Sequence, residues 1–191
     1  MKNIWFISDT HFRHEAILGF KDYAGRTVRP FASAEEMDQQ MIDNWQSVVK
    51  PGDVVYHLGD VLFGHNKVEW LEANFTKLNG TKHLILGNHD QYDSKKILNS
   101  NITLMNQLNT GPFLFTHIPV KGFDEFNICG HVHPAVKLRG LGKQYMKLNC
   151  FYISDNQLIL PAFGTFTGSH ILKPNKTDHV ICLTSDGLFE L

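Results

Sequence analysis

Five short apolar runs in this chain each end in polar side chains that can bind a metal ion. The most complete ending is Gly87-Asn88-His89-Asp90, which follows the apolar residues 84–86. Short apolar runs are typical of buried strands, and ligands of α/β proteins sit at the carboxyl ends of strands. The repetition therefore predicts one site at one edge of a sheet. The other four endings are Asp9-Thr10-His11, Gly59-Asp60, Thr116-His117 and Gly130-His131-Val132-His133.

The composition is that of an ordinary globular domain. The chain has 191 residues, of which 42% are hydrophobic and 19% charged, which suits one domain with a single core. A net charge of −1 gives no strong global attraction for nucleic acid. Three widely spaced cysteines favour a reducing cytoplasm, and we see neither a signal peptide nor an apolar run of membrane-spanning length. We therefore expect one cytoplasmic domain over residues 1–191.

The secondary-structure pattern changes along the chain. Ser33 and Glu36 predict a capping box, and Met37, Met41, Trp45 and Val48 then mark one face of a helix. We expect further helices at 14–20, 66–75 and 94–98, strands at 2–8, 53–58, 82–86, 113–116 and 126–129, and a basic, glycine-containing excursion at 134–146. Two hairpins follow, at 151–160 and 180–191, the second with a type I′ turn at Asp186-Gly187. Strands and helices followed by hairpins indicate an α+β layered domain with two sheets.

The side chains at the strand ends form a set of metal ligands rich in oxygen and nitrogen. Carboxylates, imidazoles and one carboxamide, with no thiolate, suit Mn²⁺, Fe, Zn²⁺ or Ni²⁺ better than a structural zinc site. Seven ligands are too many for one catalytic ion, and they fit two ions about 3.5–4 Å apart that share a carboxylate and activate water. The seven are Asp9, His11, Asp60, Asn88, His117, His131 and His133.

Together, these motifs resemble the five motifs of the calcineurin-like metallophosphoesterase superfamily, in the expected order between residues 4 and 133. The resemblance implies a layered αββα sandwich, in which helices flank two mixed β-sheets, and two divalent ions, for which we expect Mn²⁺. It places Asp9, His11 and His133 on one ion and Asn88, His117 and His131 on the other, with Asp60 as the bridge. It also implies that His89 donates a proton to the leaving oxygen and that Asn88 contacts the substrate.

Each half of the chain also resembles a narrower group. The segment from Gly130 to Gly168 is similar to the ligase-associated DNA damage response endonucleases, whereas Asp9-Thr10-His11-Phe12-Arg13-His14 resembles short phage and bacterial phosphoesterases. One position departs from the superfamily pattern. Many members carry an acidic residue three positions after the second-motif aspartate, where it orients the catalytic histidine, and this chain has Phe63. Asp90 or a backbone carbonyl is a possible substitute.

Several residues near the motifs have alternative interpretations. His14 either contacts the phosphate or caps the following segment. We expect His57 to be a hydrogen-bonded core histidine and His65 to be exposed to solvent. A basic cluster of Lys137, Arg139, Lys143 and Lys147 either faces solvent or contacts a polyanion.

Three functions are open to a chain with these motifs. The first is a two-metal phosphodiesterase whose substrate is nucleic acid, as the C-terminal resemblance implies for single-stranded DNA. The second is a phosphomonoesterase that acts on nucleotides or phosphorylated side chains. The third is a binding scaffold that has lost its metal chemistry, and the presence of all seven ligands argues against it.

Overall fold

A computed structural model of the protein describes residues 1–20, 31–92, 101–140, 142, 144–164 and 168–191. Two β-sheets pack face to face within it. The first sheet has four strands in the order β1-β2-β3-β4, and every pairing is parallel, so this sheet is not mixed as expected. Its strands are β1 (Ile4–Ile7), β2 (Val54–His57), β3 (Thr81–Ile85) and β4 (Ile102–Met105).

The second sheet is mixed and contains nine strands. Seven of its strands form one continuous hydrogen-bonded series, which runs from the strand at residues 170–171 to the strand at residues 108–110. The two last strands of the chain pair outside this series. The strands are β5 (Leu108–Thr110), β6 (Phe113–Phe115), β7 (Phe126–Cys129), β8 (Pro134–Arg139), β9 (Tyr145–Ser154), β10 (Gln157–Ile159), β11 (His170–Ile171), β12 (His179–Thr184) and β13 (Gly187–Glu190).

Two α-helices cover the free face of the first sheet. Helix α1 (Ala34–Val48) begins at Ser33, whose hydroxyl accepts a hydrogen bond from the backbone N–H of Glu36, as the capping box predicts. The Glu36 carboxylate accepts from the N–H of Ala32, one residue earlier than expected. Helix α2 (Lys67–Ala73) lies within the helix expected at 66–75, and 3₁₀ turns form at Glu15–Gly19 and Phe75–Lys77.

Three hydrophobic clusters hold the layers together. Met37, Met41 and Trp45 of α1 pack against the first sheet as predicted, but Val48 is 49% exposed and Val49 is buried in its place. A second cluster lies between the sheets and joins Leu58 and Ile85 to residues of the second sheet. The third lies on the outer face of the second sheet, and among the described residues no helix contributes to it, so the second helical layer expected of an αββα sandwich is not seen there.

The C-terminal half contains more strand than the sequence predicted. The expected excursion at 134–146 is instead largely β8 and the start of β9, which pair as an antiparallel hairpin. Both predicted hairpins are present, but Thr184 pairs with Gly187, so Ser185 and Asp186 form the second turn without the positive φ angles of type I′. Strands β4 and β5 were not predicted, and the helix expected at 94–98 lies outside the described residues. Within the described chain, no helix is both long and apolar enough to cross a membrane.

Candidate metal centre

The strand-end motifs of both sheets converge on one site. Asp9 and His11 follow β1, Asp60 follows β2 and Asn88 follows β3, while His117 and His131 follow β6 and β7 of the second sheet. His133 comes directly before β8. The structure brings six of the seven predicted ligands into two groups, within each of which the ligand atoms lie within 4.8 Å of one another. The groups are Asp9, His11 and His133, and Asp60, His117 and His131.

The first group has a buried carboxylate at its centre. Asp9 Oδ1 lies 3.1 Å from His133 Nε2 and 3.8 Å from His11 Nε2. The other oxygen of Asp9 accepts a hydrogen bond of 3.0 Å from the backbone N–H of His131, which is 122 residues away in sequence. One carboxylate therefore presents an oxygen to the group while it ties the two sheets together.

The second group includes Asn88, the seventh predicted ligand. His117 Nε2 lies 3.0 Å from Asn88 Oδ1, 3.2 Å from His131 Nδ1 and 3.4 Å from Asp60 Oδ2. Because His117 Nδ1 donates to the carbonyl of Leu58 at 2.7 Å, Nε2 of the neutral ring carries a lone pair. In that tautomer, Nε2 of His117 faces two side-chain oxygens and a second imidazole nitrogen, and this donor set suits a cation.

Asp60 lies between the two groups. Its Oδ2 is 3.8 Å from His11 Nε2 of the first group and 3.4 Å from His117 Nε2 of the second. Its Oδ1 accepts from the backbone N–H of His89 at 2.9 Å, which fixes the orientation of the carboxylate. The geometry thus gives Asp60 the position that a bridging ligand would need.

Buried polar atoms without hydrogen-bond partners test whether a metal fits the first group. Asp9 Oδ1, His11 Nε2 and His133 Nε2 are all buried and form no hydrogen bond. Burying such atoms without a partner costs free energy, and an unexplained one indicates a missing ion or a catalytic role. All three belong to the same group, and their donor chemistry fits a divalent cation.

The backbone of the site is strained in a consistent way. Among the described residues, seven other than glycine have positive φ, and five of them are predicted ligands, with φ between 46° and 67°. Non-glycine residues rarely adopt this left-handed conformation, and it persists where surrounding structure enforces it, often at functional sites. The five are Asp9, His11, Asp60, His131 and His133.

Two motif glycines allow the loops to approach one another closely. A Cβ atom on Gly87 would collide with the backbone nitrogen and side chain of Asp60. A Cβ atom on Gly130 would lie 2.6 Å from Asp9 Oδ2 and closer still to the hydroxyl of Ser8. Any larger residue at either position would therefore displace a carboxylate of the site.

Buried carboxylates hold the loops of the first sheet. Asp90 accepts backbone hydrogen bonds from Asp60 at 2.6 Å and from Val61 and Gly87 at 2.9 Å, so it joins the loops after β2 and β3. Asp38 of α1 accepts from the N–H of Arg13 with both oxygens, at 2.9 and 3.1 Å. Burial raises the pKa of Asp38 to about 7 despite these bonds. Asp38 was not among the residues predicted from the sequence, although an acidic residue beside Met37 on an apolar helix face was an available signal.

His57 is a core histidine, as predicted. It is fully buried, its Nδ1 accepts from the N–H of Gly59 at 3.2 Å, and its Nε2 lies 3.1 Å from the hydroxyl of Thr10. Because the Thr10 hydroxyl donates to the carbonyl of Val61, Nε2 of His57 is the donor in that contact. His57 therefore connects the loops after β1 and β2 as a neutral ring, and burial lowers its pKa to about 3.

His89 lies beside the two groups and is in neither. Its ring centroid is 5.7 Å from that of His11 and 5.0 Å from that of Phe63. The oxygens of Asp90 bind backbone N–H groups, so Asp90 does not replace the missing acidic residue; the aromatic ring of Phe63 is the neighbour at this position. His14, proposed as a substrate contact, stacks on Phe63 with centroids 4.0 Å apart. His65 is exposed as expected, and its carbonyl accepts from the Arg13 guanidinium.

The electrostatics of the site favour cation binding. Burial would raise the pKa of both Asp9 and Asp60, but the neighbouring His133 and His117 respectively outweigh it and lower both values. Burial lowers the pKa of His11 to about 4, against the attraction of the two carboxylates. At neutral pH the site therefore contains two carboxylates and at least one neutral imidazole, a set that attracts a divalent cation.

Comparison with known proteins identifies similar chains. The sequence matches the family of calcineurin-like phosphoesterases over residues 2–184. An uncharacterised protein of Methanocaldococcus jannaschii is 35% identical over 138 residues, which is 70% of each chain. The gene 66 protein of a Mycobacterium phage is 37% identical over 93 residues, which is 48% of this chain and 42% of the phage protein. The crystal structure of the Pseudomonas putida nuclease MPE has a TM-score of 0.65 at 22% identity, covers 97% of this chain and 86% of its own, and shares the fold.

Proposed function

Because this chain belongs to the calcineurin-like phosphoesterase family, and is thus a metal-dependent phosphoester hydrolase, we propose that it cleaves phosphodiester bonds at a centre of two divalent ions. The observation that carries this proposal is the position of Asp60. Its Oδ2 lies within 3.8 Å of a histidine nitrogen in each group, which supports the proposal that one carboxylate is shared by two ions. Two isolated cation sites would need no such shared ligand.

In this proposal Asp9, His11 and His133 hold one ion, and Asn88, His117 and His131 hold the other. Two bound ions supply a Lewis acid, an activated water and positive charge for the transition state. Asn88 is exposed at the surface of the site, and its carboxamide can also donate to a phosphate oxygen. His14 stands beside the first group as a further candidate contact to substrate.

His89 is the candidate proton donor to the leaving oxygen. It is half-buried, its backbone is held by Asp60 and by Lys67, and its ring packs against Phe63. A histidine that does not bind a metal ion keeps both ring nitrogens available for proton transfer, and such transfer contributes about 10²–10⁴-fold to the reaction rate. The ring lies on the same side of the groups as His11, at a centroid distance of 5.7 Å.

We propose single-stranded DNA as the natural substrate. Asn88 and His131 are exposed, and within the described ranges no separate cap domain encloses the site, as a pocket for a terminal phosphate would require. A flexible strand can bend one phosphate towards the ions, whereas a duplex keeps its phosphates outside a narrow cleft. The Pseudomonas putida protein that shares the fold is named a nuclease, and this name supports the choice of a nucleic-acid substrate. The net charge of −1 implies that binding is local and depends on few contacts.

The decisive experiment starts from metal-free protein. It is reconstituted separately with Mn²⁺, Zn²⁺, Fe²⁺, Ni²⁺ and Mg²⁺, and assayed on a small diester, a small monoester, circular single-stranded DNA and circular duplex DNA. We expect Mn²⁺ to give the highest rate, two ions per chain at saturation, and cuts in circular single strands with little action on duplex. Faster release of phosphate from nucleotides than cleavage of any diester would replace this proposal with a monoesterase.

Asp60→Asn tests the shared ligand. A carboxamide cannot supply two anionic oxygens, so we expect a loss of roughly 10³-fold or more in kcat and a lower metal content. Asp43→Asn, at an exposed position of α1, is the matched control and should retain both. Full activity with a single ion per chain under saturating metal would refute the two-ion centre.

A further inference from the structure

We infer that the hairpin formed by β8 and β9 is a docking surface for single-stranded DNA, and that one of its faces guides the strand to the metal centre. This inference rests on the proposed function and adds to it a binding surface. The face is made by alternate residues of the two strands, which are Lys137, Arg139, Tyr145 and Lys147. We call these four residues the basic face.

Strand register puts the four side chains on one side of the hairpin. Lys137 pairs with Lys147, and Arg139 pairs with Tyr145. Residues two apart on a strand share a face, and directly paired residues do too. Leu138 and Leu148, which alternate with them, pack into the hydrophobic cluster on the outer side of the second sheet. The basic face is therefore the opposite side, and all four of its residues are exposed.

The direction of β8 places the hairpin beyond the metal centre. Strand β7 is parallel to β10, which is antiparallel to β9, which is antiparallel to β8, so β7 and β8 run in the same direction. β7 ends just before His131, and β8 starts directly after His133. The hairpin thus extends outward from the edge that carries the ligands, and about 13 Å of strand separates His133 from Lys137.

The basic face also lies on the side of the second sheet that faces the first. Phe151, further along β9, packs into the cluster between the two sheets. Lys147 and Tyr145 are four and six residues before it, so alternation gives them the same side. Asp9, His11 and Asp60 approach from that side, because they follow strands of the first sheet. A strand bound on the basic face would therefore approach the ligands directly.

The chemistry of the face indicates an anionic, aromatic partner. Like charges directly opposite each other on a β-ladder destabilise it, and Lys137 and Lys147 are such a pair. In the part of the chain that the structure describes, neither ammonium group forms an ion pair. Lys137 Nζ lies 3.6 Å from the centroid of the Tyr145 ring, and that ring is 56% exposed. Cations beside an open aromatic ring match the phosphates and bases of a single strand.

Binding and cleavage are measured separately to test this. The metal-loaded protein is titrated with a labelled oligothymidylate of about 20 nucleotides whose phosphorothioate linkages keep the charge and slow cleavage. Lys137→Ala/Lys147→Ala should weaken binding about tenfold at low salt and reduce the log–log salt slope by about 0.7 for each lost contact. Lys50→Ala/Lys176→Ala removes the same charge at exposed positions, before β2 and before β12, and should change neither quantity.

Tyr145 tests the stacking component. Tyr145→Ala should weaken binding by about tenfold without changing the salt slope, whereas Tyr145→Phe should bind like the wild type. Hydrolysis of a small diester monitors the fold and the centre in every variant. If Lys137→Ala/Lys147→Ala binds and cuts DNA with an unchanged salt slope, the docking surface is refuted while the proposed function stands.

The reverse outcome is equally distinct. If the wild type hydrolyses no diester but binds the oligothymidylate through Lys137 and Lys147, the proposed function fails and the docking surface stands. Weak binding of the oligothymidylate, with tight binding of anionic phospholipid vesicles through the same lysines, would overturn the inference in favour of a membrane surface.

Discussion

The two sheets contribute to the candidate metal centre in different ways. The first sheet supplies the exposed Asn88 together with Asp9, His11 and Asp60, which are only 0%, 5% and 2% exposed. Hydrogen bonds of Asp90, Asp38 and His57 hold the loops of these three buried ligands. The second sheet supplies His131 and His133, which are more exposed, and also His117, which is buried. Its ligand loop is held by the bond from His131 to Asp9 and by the contact of His133 Nδ1 with the carbonyl of Gly168 at 3.2 Å.

This difference indicates a division between a preorganised part and a more accessible one. Groups that are buried and hydrogen-bonded on several sides cannot adjust to a substrate, so they are suited to fix the ions. Exposed ligands on the second sheet, next to the hairpin, are suited to the side on which a substrate enters. If this division holds, changes in the first sheet should affect metal retention, the rate of the chemical step and stability.

A substitution at His89 should lower the rate of the chemical step and leave the metal content unchanged. His89→Gln should lower kcat by about 10²–10⁴-fold on diesters with poor leaving groups, because the leaving oxygen then lacks a proton donor. Metal content should stay unchanged, and the loss should be much smaller on an activated aryl ester. His179→Gln, whose side chain is 67% exposed, serves as the control. An equal loss on both esters would assign His89 a structural role.

Asp90 should couple the loops of the first sheet to metal affinity. Asp90→Asn removes an anionic acceptor of three backbone N–H groups and replaces one oxygen with a donor. Changes to groups that orient ligands typically cost about 10–100-fold in metal affinity or activity, and we expect that range here. Metal titration and the urea midpoint are the measurements, with Asp155→Asn at an exposed turn as the control. Unchanged metal affinity would show that the loops need no such support.

His57 should give the smallest effect, a pH dependence of stability. Its pKa falls from 6.5 to about 3 on folding, so between these values the unfolded state binds more protons. Stability should therefore decrease as the pH falls through this window, by up to about 1.4 kcal/mol per pH unit from this one group. His57→Gln keeps a donor for Thr10 and removes the titration. The free energy of unfolding, measured with urea at about pH 7 and about pH 5, should therefore change less with pH in this variant than in the wild type. If the free energy of unfolding depends on pH equally in both proteins, groups other than His57 cause the acid sensitivity.

The sequence was most informative where local pattern and function coincide. The strand ends that carry Asp9, Asp60 and Asn88 were predictable, because an apolar run followed by polar residues indicates both a buried strand and the point where it ends. Helix α1 was predictable from its cap and its periodicity, although Val48 fell outside the buried face because the helix ends there. The family and the layered architecture, which the motifs also implied, are confirmed by the comparisons and by the structure.

The missed features depend on contacts between distant segments. Strands β4 and β5 are four and three residues long and include polar residues, so their pairing partners rather than their composition define them. The alternation of Lys137, Leu138 and Arg139 was a strand signal, but the glycines that follow obscured it. That Asp90 serves backbone N–H groups rather than His89 could not be read from adjacency, because Asp60 and Val61 lie about thirty residues away.

The hydrogen bond from His131 to Asp9 has a consequence during synthesis of the chain. It joins residues 122 positions apart, and Gly130 fits against Ser8 and Asp9 without room for a side chain. A nascent chain that has not yet emerged beyond this glycine carries Asp9, His11 and Asp60 but lacks His131 and His133. Every interrupted translation product that ends before residue 130 therefore lacks part of the ligand set, and a chain carries all seven predicted ligands only once β5, β6 and β7 of the second sheet have been made.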